Sequence, residues 1–514
     1  MRISKKLIPI ILIIFLSSYF SYGQNLKSAK ENFNNKQYDL ALKYFKKAWE
    51  KDKTNTELNY TYADCILKSN SDRTKAINLL EFVIGVDVNY KQVNLLLAKA
   101  YCYNNKYAKA ESVLNFFKTN YKNDDSLIFT QSINEAILLS EHIKSAQKLT
   151  KKPLNVSFVN LGKQINTKRS EFNPFISENG RTLYFTSNKT YDSDLQELIR
   201  NIYYSNFSDT WGKLKSIGKN INTSENESIT SLSKDENTII THVTFMGEPG
   251  DLLISEKDKK RYGKLSEFNN SINSKFDEQS GDLSKNGDTL FFCSNRPGGY
   301  GGLDIYFSVK LPDNSWGNPQ NIGSRINTAY DETYPQINKS GNILNFASNR
   351  PESMGGFDIF SSHLINSEWA EATNFGYPIN NAYDNYTISY SRSMRYAYTA
   401  QVRPEGMGGL DIYQIIFNNI PPQIIIYSGT IKKRVDNKAE IIKEDISIKA
   451  YYSKTKKIFA ESQYSSGGKY TFAFPPGEYY IIIEGGSIST KRTSVSIPEN
   501  EANELFITKN ITLK

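Results

Sequence analysis

Residues 284–308 read SKNGDTLFFCSNRPGGYGGLDIYFS, and this stretch decides the fold. The step Asn286-Gly287 precedes the apolar run Leu290-Phe291-Phe292. An Asn-Gly step beside β-forming residues is a strong local signal for a hairpin. A second turn follows at Arg296-Pro297-Gly298-Gly299, where glycine supplies the positive φ angles that tight turns need. The chain then returns to a strand pattern at Asp304-Ile305-Tyr306, so the stretch predicts consecutive antiparallel strands.

Five imperfect copies of this unit fill the middle of the chain. Their shared tripeptides lie 50, 53, 54 and 53 residues apart, and a period of this length is typical of one four-stranded propeller blade. The five tripeptides are Asn201-Ile202-Tyr203, Asp251-Leu252-Leu253, Asp304-Ile305-Tyr306, Asp358-Ile359-Phe360 and Asp411-Ile412-Tyr413.

The chain has five Ile-Asn steps, one for each unit, but the first step comes before the first tripeptide and none follows the last tripeptide. The first step, Ile165-Asn166, precedes the first hairpin, whereas the last unit ends at Phe417 without one. We therefore expect residues 154–166 to supply the outer strand of the last blade and to close a ring of five blades. The other steps are Ile221-Asn222, Ile272-Asn273, Ile326-Asn327 and Ile379-Asn380.

The motif set resembles the WD-repeat-like propeller of TolB-type periplasmic proteins. Its blades carry a similar succession of a polar turn, a Ser-Asn-Arg step and an Asp-Ile-Tyr step, matched here at Ser294-Asn295-Arg296 and Ser348-Asn349-Arg350. The second unit departs most from this pattern, because His242-Val243-Thr244 stands where Ser-Asn-Arg is expected.

The first 23 residues are predicted to be a signal peptide. Arg2, Lys5 and Lys6 form a basic start, residues 7–16 are apolar, and small residues precede a cut before Gln24. The apolar run has about half of the ~20 residues that a membrane span needs. No cysteine lies near the cut, so we expect an exported protein without a lipid anchor.

Residues 24–149 have a helical period with small residues at regular offsets. Ala29 and Ala41 are 12 residues apart, as are Ala98 and Ala110, and Ala63 lies 34 residues after Ala29. This period resembles that of tetratricopeptide repeats, in which small residues let paired helices approach closely. We expect helix pairs near residues 26–52, 59–87 and 92–121, and a capping helix near 125–148. Such a stack is usually a docking surface, and the alternative is a spacer.

Residues 420–514 are predicted to form a small β-sandwich. Gly468-Lys469-Tyr470-Thr471-Phe472 and the later Pro475-Pro476-Gly477-Glu478-Tyr479 resemble the signature of carboxypeptidase regulatory-like domains, which implies a non-catalytic module. The expected strands are 424–431, 446–452, 469–474, 479–484 and 493–497.

The predicted fold class is therefore multidomain, with a signal peptide (1–23), tetratricopeptide-like helical repeats (24–149), a five-bladed β-propeller (150–419) and a regulatory-like β-sandwich (420–514). This order resembles OmpA-family proteins related to PorE, which implies a link to type IX secretion or gliding. The OmpA-like domain expected after the sandwich is missing from this sequence, so peptidoglycan binding is not expected.

Charge and cysteine content point to no special ligand. Lys and Arg number 63 against 54 Asp and Glu, giving a net charge of +9. The basic residues form no sustained stripe of the kind that nucleic acid requires. The three cysteines, Cys65, Cys102 and Cys293, fit neither a disulfide framework nor a metal motif. We expect buried thiols and no cofactor or metal.

The sequence contains no recognisable catalytic set. Its three histidines are scattered, and no Gly-x-Ser-x-Gly motif occurs. Asp304, Asp358 and Asp411 recur at equivalent positions of their repeats. This repetition favours a structural role, in which each carboxylate accepts hydrogen bonds that fasten its own hairpin. A catalytic or calcium-binding ring of acids is the less favoured hypothesis. Arg296, Arg350 and Arg403 recur with them, which favours an ion pair within each blade over a substrate clamp. The sequence therefore predicts no catalytic, cofactor-binding or metal site.

The sequence thus predicts a non-enzymatic periplasmic scaffold, held at the outer membrane by envelope proteins such as secretion-system components. The alternative hypothesis is a glycan- or peptide-binding propeller module, and a propeller hydrolase is the third hypothesis. We expect no nucleic-acid partner and no membrane span after signal cleavage.

Overall fold

The chain folds into helices, then a ring of antiparallel sheets, then two sheets packed on each other. The computed structural model describes residues 22–120, 127–193, 197–233, 235–244, 250–435, 438–442, 446–462, 468–486, 488–499 and 506–513. Residues 1–21 of the predicted signal peptide lie outside this part. Within it, no helix combines the length and the apolar character needed to cross a membrane.

Consecutive helices of the N-terminal region pack against each other. The small residues singled out in the sequence, Ala29, Ala41, Ala63, Ala98 and Ala110, are all fully buried, as predicted. The helices are 22–34 (α1), Tyr38–Trp49 (α2), Thr56–Lys68 (α3), Ala76–Val86 (α4), Val93–Tyr103 (α5), Tyr107–Asn120 (α6) and Leu127–Leu149 (α7), with a 3₁₀ turn at Arg73–Lys75.

Five antiparallel sheets follow, three of four strands and two of five, counted over the described residues of 156–417. Each sheet is named by its order in the chain. Sheet 1 contains Glu171–Ile176 (β2), Thr182–Asp192 (β3), Glu197–Asn206 (β4) and Lys215–Ser216 (β5). Sheet 2 contains Asn226–Leu232 (β6), Thr238–Thr244 (β7), Asp251–Asp258 (β8) and Ser266–Glu267 (β10), with Arg261–Tyr262 (β9) paired to β8. Sheet 3 contains Ser280–Leu283 (β11), Thr289–Ser294 (β12), Asp304–Val309 (β13) and Gln320–Asn321 (β14). Sheet 4 contains Glu332–Ile337 (β15), Ile343–Ser348 (β16), Asp358–Ile365 (β17) and Thr373–Asn374 (β19), with Glu368–Trp369 (β18) paired to β17.

Sheet 5 is completed by the start of the sheet region. It contains Ser389–Tyr390 (β20), Tyr396–Gln401 (β21), Asp411–Phe417 (β22) and Val156–Asn160 (β1). Strand β1 pairs with β22 in antiparallel register, from Val156 opposite Phe417 to Asn160 opposite Tyr413. The predicted closure by residues 154–166 is therefore confirmed.

Neighbouring sheets are joined around the ring by packing and by hydrogen bonds. An apolar cluster lies between each pair of neighbours, and the one between sheets 5 and 1 combines Tyr398 and Ile412 with Leu183 and Phe185. The backbone N–H of Ile176 in sheet 1 also donates to the hydroxyl of Ser389 in sheet 5, at 3.0 Å. A closed ring of separate antiparallel sheets is the architecture of a β-propeller.

The last region has two sheets that share one core. One sheet contains Ile425–Val435 (β23), Lys438–Ile441 (β24), Lys469–Phe474 (β27), Phe506–Thr508 (β30) and Ile511–Leu513 (β31); the other contains Ser447–Tyr452 (β25), Ile458–Ser462 (β26), Gly477–Glu484 (β28) and Lys491–Ile497 (β29). Apolar side chains of both sheets form a single cluster that includes Ile425, Phe474, Ile448 and Ile481. The five strands expected here are all present, but β24, β26, β30 and β31 were not predicted.

Candidate functional site

The repeated aspartates fasten their own hairpin loops, as predicted. Asp358 Oδ2 accepts from the backbone N–H of Met354 at 2.8 Å and from Asn374 Nδ2 at 2.7 Å, and Oδ1 accepts from Gly355 N–H at 3.3 Å. Asp304 and Asp411 accept the equivalent set of two backbone N–H groups and one asparagine amide. Their carboxylates are used inside the fold.

The repeated arginines form ion pairs within their sheets, but the acid is a glutamate. Arg350 Nη2 lies 3.0 Å from Glu332 Oε1, and Arg296 Nη2 lies 3.0 Å from Glu278 Oε1. Arg403 differs, because its partner Glu405 lies in its own loop at 3.0 Å. In sheet 5, Asn385 takes the place of the buried glutamate that lies at or just before the first strand of the other sheets, and it accepts from the backbone N–H of Asn381 as Glu332 accepts from that of Thr328.

The side chains of the asparagines in the Ile-Asn steps pair with a neighbouring backbone in the way that a β-strand does. Asn327 Oδ1 accepts from the backbone N–H of Ile305 at 2.8 Å, and Asn327 Nδ2 donates to the carbonyl of the same residue at 2.9 Å. Asn166, Asn222, Asn273 and Asn380 make the same pair of bonds to Ile412, Ile202, Leu252 and Ile359. This role explains the repetition without a ligand.

Sheet 2 differs from the other sheets in the surroundings of its buried glutamate, Glu227. In sheet 4, Ser348 lies opposite Glu332, and the equivalent pair in sheet 2 is Val243 opposite Glu227. Val243 therefore corresponds to the serine of the Ser-Asn-Arg step. The sequence-based prediction, which placed His242 there, is wrong by one residue. Valine has no hydroxyl, and Glu227 Oε2 has no hydrogen-bond partner in the described residues. Burial raises the pKa of the Glu227 carboxyl.

The helices contact one end of the sheets. Arg73 Nη2 lies 3.3 Å from Asp384 Oδ2, Nη1 donates to Tyr103 OH at 2.7 Å, and the rings of Tyr103 and Tyr383 are 4.8 Å apart. Arg73 is only 9% exposed. Asp384 and Tyr383 belong to the segment that leads into β20, so a buried cation connects the helices to sheet 5.

Helix α7 makes a second contact with the same end of the sheets. His142 Nε2–H donates to the carbonyl of Arg350 at 3.1 Å, and Ser145 Oγ donates to the carbonyl of Pro351 at 3.0 Å. Burial lowers the pKa of His142, which favours the neutral ring. Met354 of the same loop packs into the apolar cluster of the helices. The helices and sheet 4 therefore share part of one core.

A cavity of about 520 Å³ opens at this same end of the sheets. Its walls include Arg200, His242, Lys275, Asp277 and Tyr334. These residues come from sheets 1 to 4. They lie near the start of the first or third strand of a sheet, or near the end of the second strand. In an antiparallel sheet these three positions are at the same end. The helices and the cavity therefore occupy one face of the ring.

His242 is the unusual titratable group of this cavity. Burial and the nearby Arg200 lower its pKa to about 4, against the effect of Asp277. Its Nε2 has no hydrogen-bond partner in the described residues and lies 3.9 Å from Asp277 Oδ1. A backbone N–H, that of Gly250, donates to the same Asp277 oxygen at 3.0 Å.

The remaining residues singled out in the sequence are not brought together. His142 lies at the helical interface and His242 in the cavity, whereas His363 lies near the far end of β17. Cys65, Cys102 and Cys293 are buried, and burial raises the pKa of each thiol. The described residues contain no group of three or more metal-ligating side chains.

No family model matches the chain, and no curated protein sequence matches it. Among solved structures it is similar to TolB from Acinetobacter baumannii, with a TM-score of 0.33 and 13% identity over 55% of this chain and 69% of that one. It is also similar to the Trypanosoma rangeli sialidase, with a TM-score of 0.33 and 9% identity over 68% and 92% of the two chains. The WD40 repeats of RRP9 give a TM-score of 0.30 and 7% identity over 51% and 98%. Likeness at this level carries no functional conclusion.

Proposed function

We propose that this protein is a non-enzymatic scaffold of the bacterial cell envelope that docks partner proteins. In this proposal the helices are tetratricopeptide repeats, the five sheets are the blades of a five-bladed propeller, and the last two sheets are a regulatory-like sandwich. The chain works in the periplasm, associated with the outer membrane, and the type IX secretion or gliding machinery is the process it serves.

The buried contact between helices and propeller is the observation that carries this proposal. Arg73, Tyr103, Tyr383 and Asp384 hold the helices against the ring, and α7 adds the bonds of His142. Helical repeat stacks bind partner segments along an extended surface. A stack fixed to a propeller presents two binding surfaces in a set orientation, which suits a protein that organises others.

Exposed apolar side chains on three helices give positions at which the proposal can be tested. Phe82 of α4 is 36% exposed, Phe116 of α6 is 41% exposed, and Ile137 of α7 is 51% exposed. A photo-crosslinking amino acid placed at each of these positions, in cells of the native host, should capture envelope proteins. The same label at Ile365, on the outer part of sheet 4, is the matched control.

The proposal expects the helical labels to capture the same outer-membrane or secretion-system protein, and the Ile365 label to capture it less. Capture of nothing from any helical position, together with retention of the purified chain on envelope glycans, would favour the second candidate. That candidate is a glycan- or peptide-binding propeller module, and the observation that favours it is the polar cavity beside the helices.

A further inference from the structure

Arg200, in the cavity wall, forms no ion pair with a carboxylate of the described residues, unlike other arginines of low exposure. Among the described residues, no carboxylate oxygen lies within 4.0 Å of the Arg200 guanidinium. Four arginines of low exposure have such a partner: Arg73 (Asp384, 3.3 Å), Arg296 (Glu278, 3.0 Å), Arg350 (Glu332, 3.0 Å) and Arg395 (Glu499). Arg200 Nη2 instead donates to the hydroxyl of Thr244 at 2.8 Å.

An unpaired cation in such surroundings is unfavourable for the fold. Burial lowers the pKa of Arg200, yet an arginine stays protonated in proteins, so its charge remains. Removing a charge from water without a direct ion pair is costly. Glu227 and Glu197 favour the charged form of Arg200 from beyond 4.0 Å. Arg200 therefore lacks the direct contact with an acid that Arg350 makes with Glu332, and its position in the cavity wall leaves that contact to a ligand.

The other cavity groups define the charge and shape of that ligand. Lys275 adds a second positive charge at the exposed margin of the cavity. His242 forms part of the wall, but its Nε2 is buried against Gly250. Asp277 supplies one negative charge to the same wall, which disfavours a dianion such as phosphate. A planar anion with one negative charge, such as a carboxylate, fits the forked guanidinium best.

We propose that this cavity binds the carboxylate of a small organic acid or of a chain end, with Arg200 as its main contact and Lys275 as a second. A volume of about 520 Å³ lies within the range of ordinary small-molecule sites. The inference does not rest on the scaffold role, because partner capture by the helices and ligand binding in the cavity are measured separately.

The test is calorimetric titration of the mature full chain with two acids and their uncharged counterparts. The probes are D-glucuronate against D-glucose, and N-acetylglycylglycine against its C-terminal amide. Small ligands of this size bind with dissociation constants on the order of 1–10 mM. At least one acid should bind, and its neutral counterpart should not. Binding of glucuronate alone identifies a sugar acid, and binding of the peptide acid alone identifies a chain end.

Three variants assign the binding to the cavity. Arg200→Gln should weaken the acid at least about tenfold, the scale of a lost charged hydrogen bond, and Arg200→Lys should recover part of the loss. Lys275→Gln should weaken binding severalfold, and since Lys275 is exposed this variant keeps the test valid if Arg200→Gln does not fold. Arg325→Gln is the control, because Arg325 is 52% exposed and pairs with Glu368 elsewhere.

The proposal is overturned if neither acid binds better than its neutral counterpart. It is also overturned if folded Arg200→Gln and Lys275→Gln bind the acid as tightly as the wild type, or if Arg325→Gln loses as much affinity as they do.

Discussion

At the scale of single residues, the repeated aspartates give the simplest test of a structural role in each hairpin. Asp358 is fully buried and accepts three hydrogen bonds from its loop and from β19. Asp358→Ala leaves two backbone N–H groups and an asparagine amide without an acceptor, so we expect a loss of about 1–3 kcal/mol in the free energy of unfolding. Chemical denaturation measures this difference.

Asp209→Ala is the matched control for this prediction, because Asp209 lies exposed in a loop of sheet 1. It should change the unfolding free energy by less than about 0.5 kcal/mol. If Asp358→Ala unfolds like the wild type but loses a ligand or an activity, the repeated acids belong to a site and their structural role is wrong.

His242 makes a testable contribution to the pH dependence of stability. Its folded pKa is about 4, below the ordinary value of about 6.5 in an unfolded chain. The unfolded state therefore binds a proton first as the pH falls, so the contribution of His242 is complete above pH 6.5 and is lost between pH 6.5 and 4. We expect His242 to account for about 1–2 kcal/mol of lost stability between pH 7 and 5.

Unfolding of the wild type and of His242→Gln at a series of pH values separates this contribution from that of other groups. The slope of stability against pH between 7 and 5 should be smaller in the variant. Equal slopes in the two proteins would show that the ring is as accessible to protons in the fold as in the unfolded chain.

At the scale of elements, the closing pair β1 and β22 is the decisive contact. Ser157 lies directly opposite Ile416, and opposed Cα atoms in an antiparallel pair are about 4.5–5.5 Å apart, which suits a disulfide. The full chain carrying Ser157→Cys and Ile416→Cys should therefore form an internal disulfide on mild oxidation. Mass spectrometry of a tryptic digest detects the cross-linked peptide.

A register control accompanies this experiment. Gln414 lies opposite Val159, so cysteines at Ser157 and Gln414 are diagonal neighbours about 7–8 Å apart and should cross-link poorly. Equal cross-linking of the two pairs, or of neither, would contradict the closure of the ring by β1.

The hairpins could be predicted from sequence because turn chemistry is local. Gly180, Gly287 and Gly341 all adopt positive φ angles of 68–73° at the predicted turns. Burial of small residues also followed from spacing alone in the helices. Outer strands such as β5 and β14 are only two residues long, which is too short for a recognisable alternation.

The cavity could not be predicted, for a different reason. Arg200, His242 and Lys275 stand at non-equivalent positions of three different repeats, so no periodic signal connects them. The glutamate partners were missed because Glu332 precedes Arg350 by 18 residues and lies in a stretch that reads as a loop. The one available signal was the departure of the second repeat, whose changed residues include His242.

At the scale of the whole molecule, Arg73 determines whether helices and propeller behave as one body. Arg73→Ala removes the cation between Asp384 and Tyr103, and breaking a buried pair from one side typically costs about 3–5 kcal/mol. We expect the helices to separate from the ring more readily, with a larger radius of gyration in small-angle scattering and faster cleavage between α7 and β1.

Lys75→Ala is the control for this interface. Lys75 lies two residues from Arg73 but is 69% exposed and faces Asp72 at 3.9 Å, where an ion pair contributes little. It should scatter and digest like the wild type. An unchanged radius and cleavage rate in Arg73→Ala would show that other contacts alone hold the two regions together.

The central claim is that the helices attach this protein to a partner in the envelope, and fractionation of cells tests it most directly. The full chain, expressed in its host, should sediment with the outer membrane and be released by high salt, because it is held by protein contacts. A chain that keeps residues 1–23 but lacks Gln24 to Thr150 should instead appear in the soluble periplasmic fraction with its propeller folded. Retention of that shortened chain at the membrane, or retention of the full chain in a host that lacks the partner after salt and carbonate washing, would contradict the account.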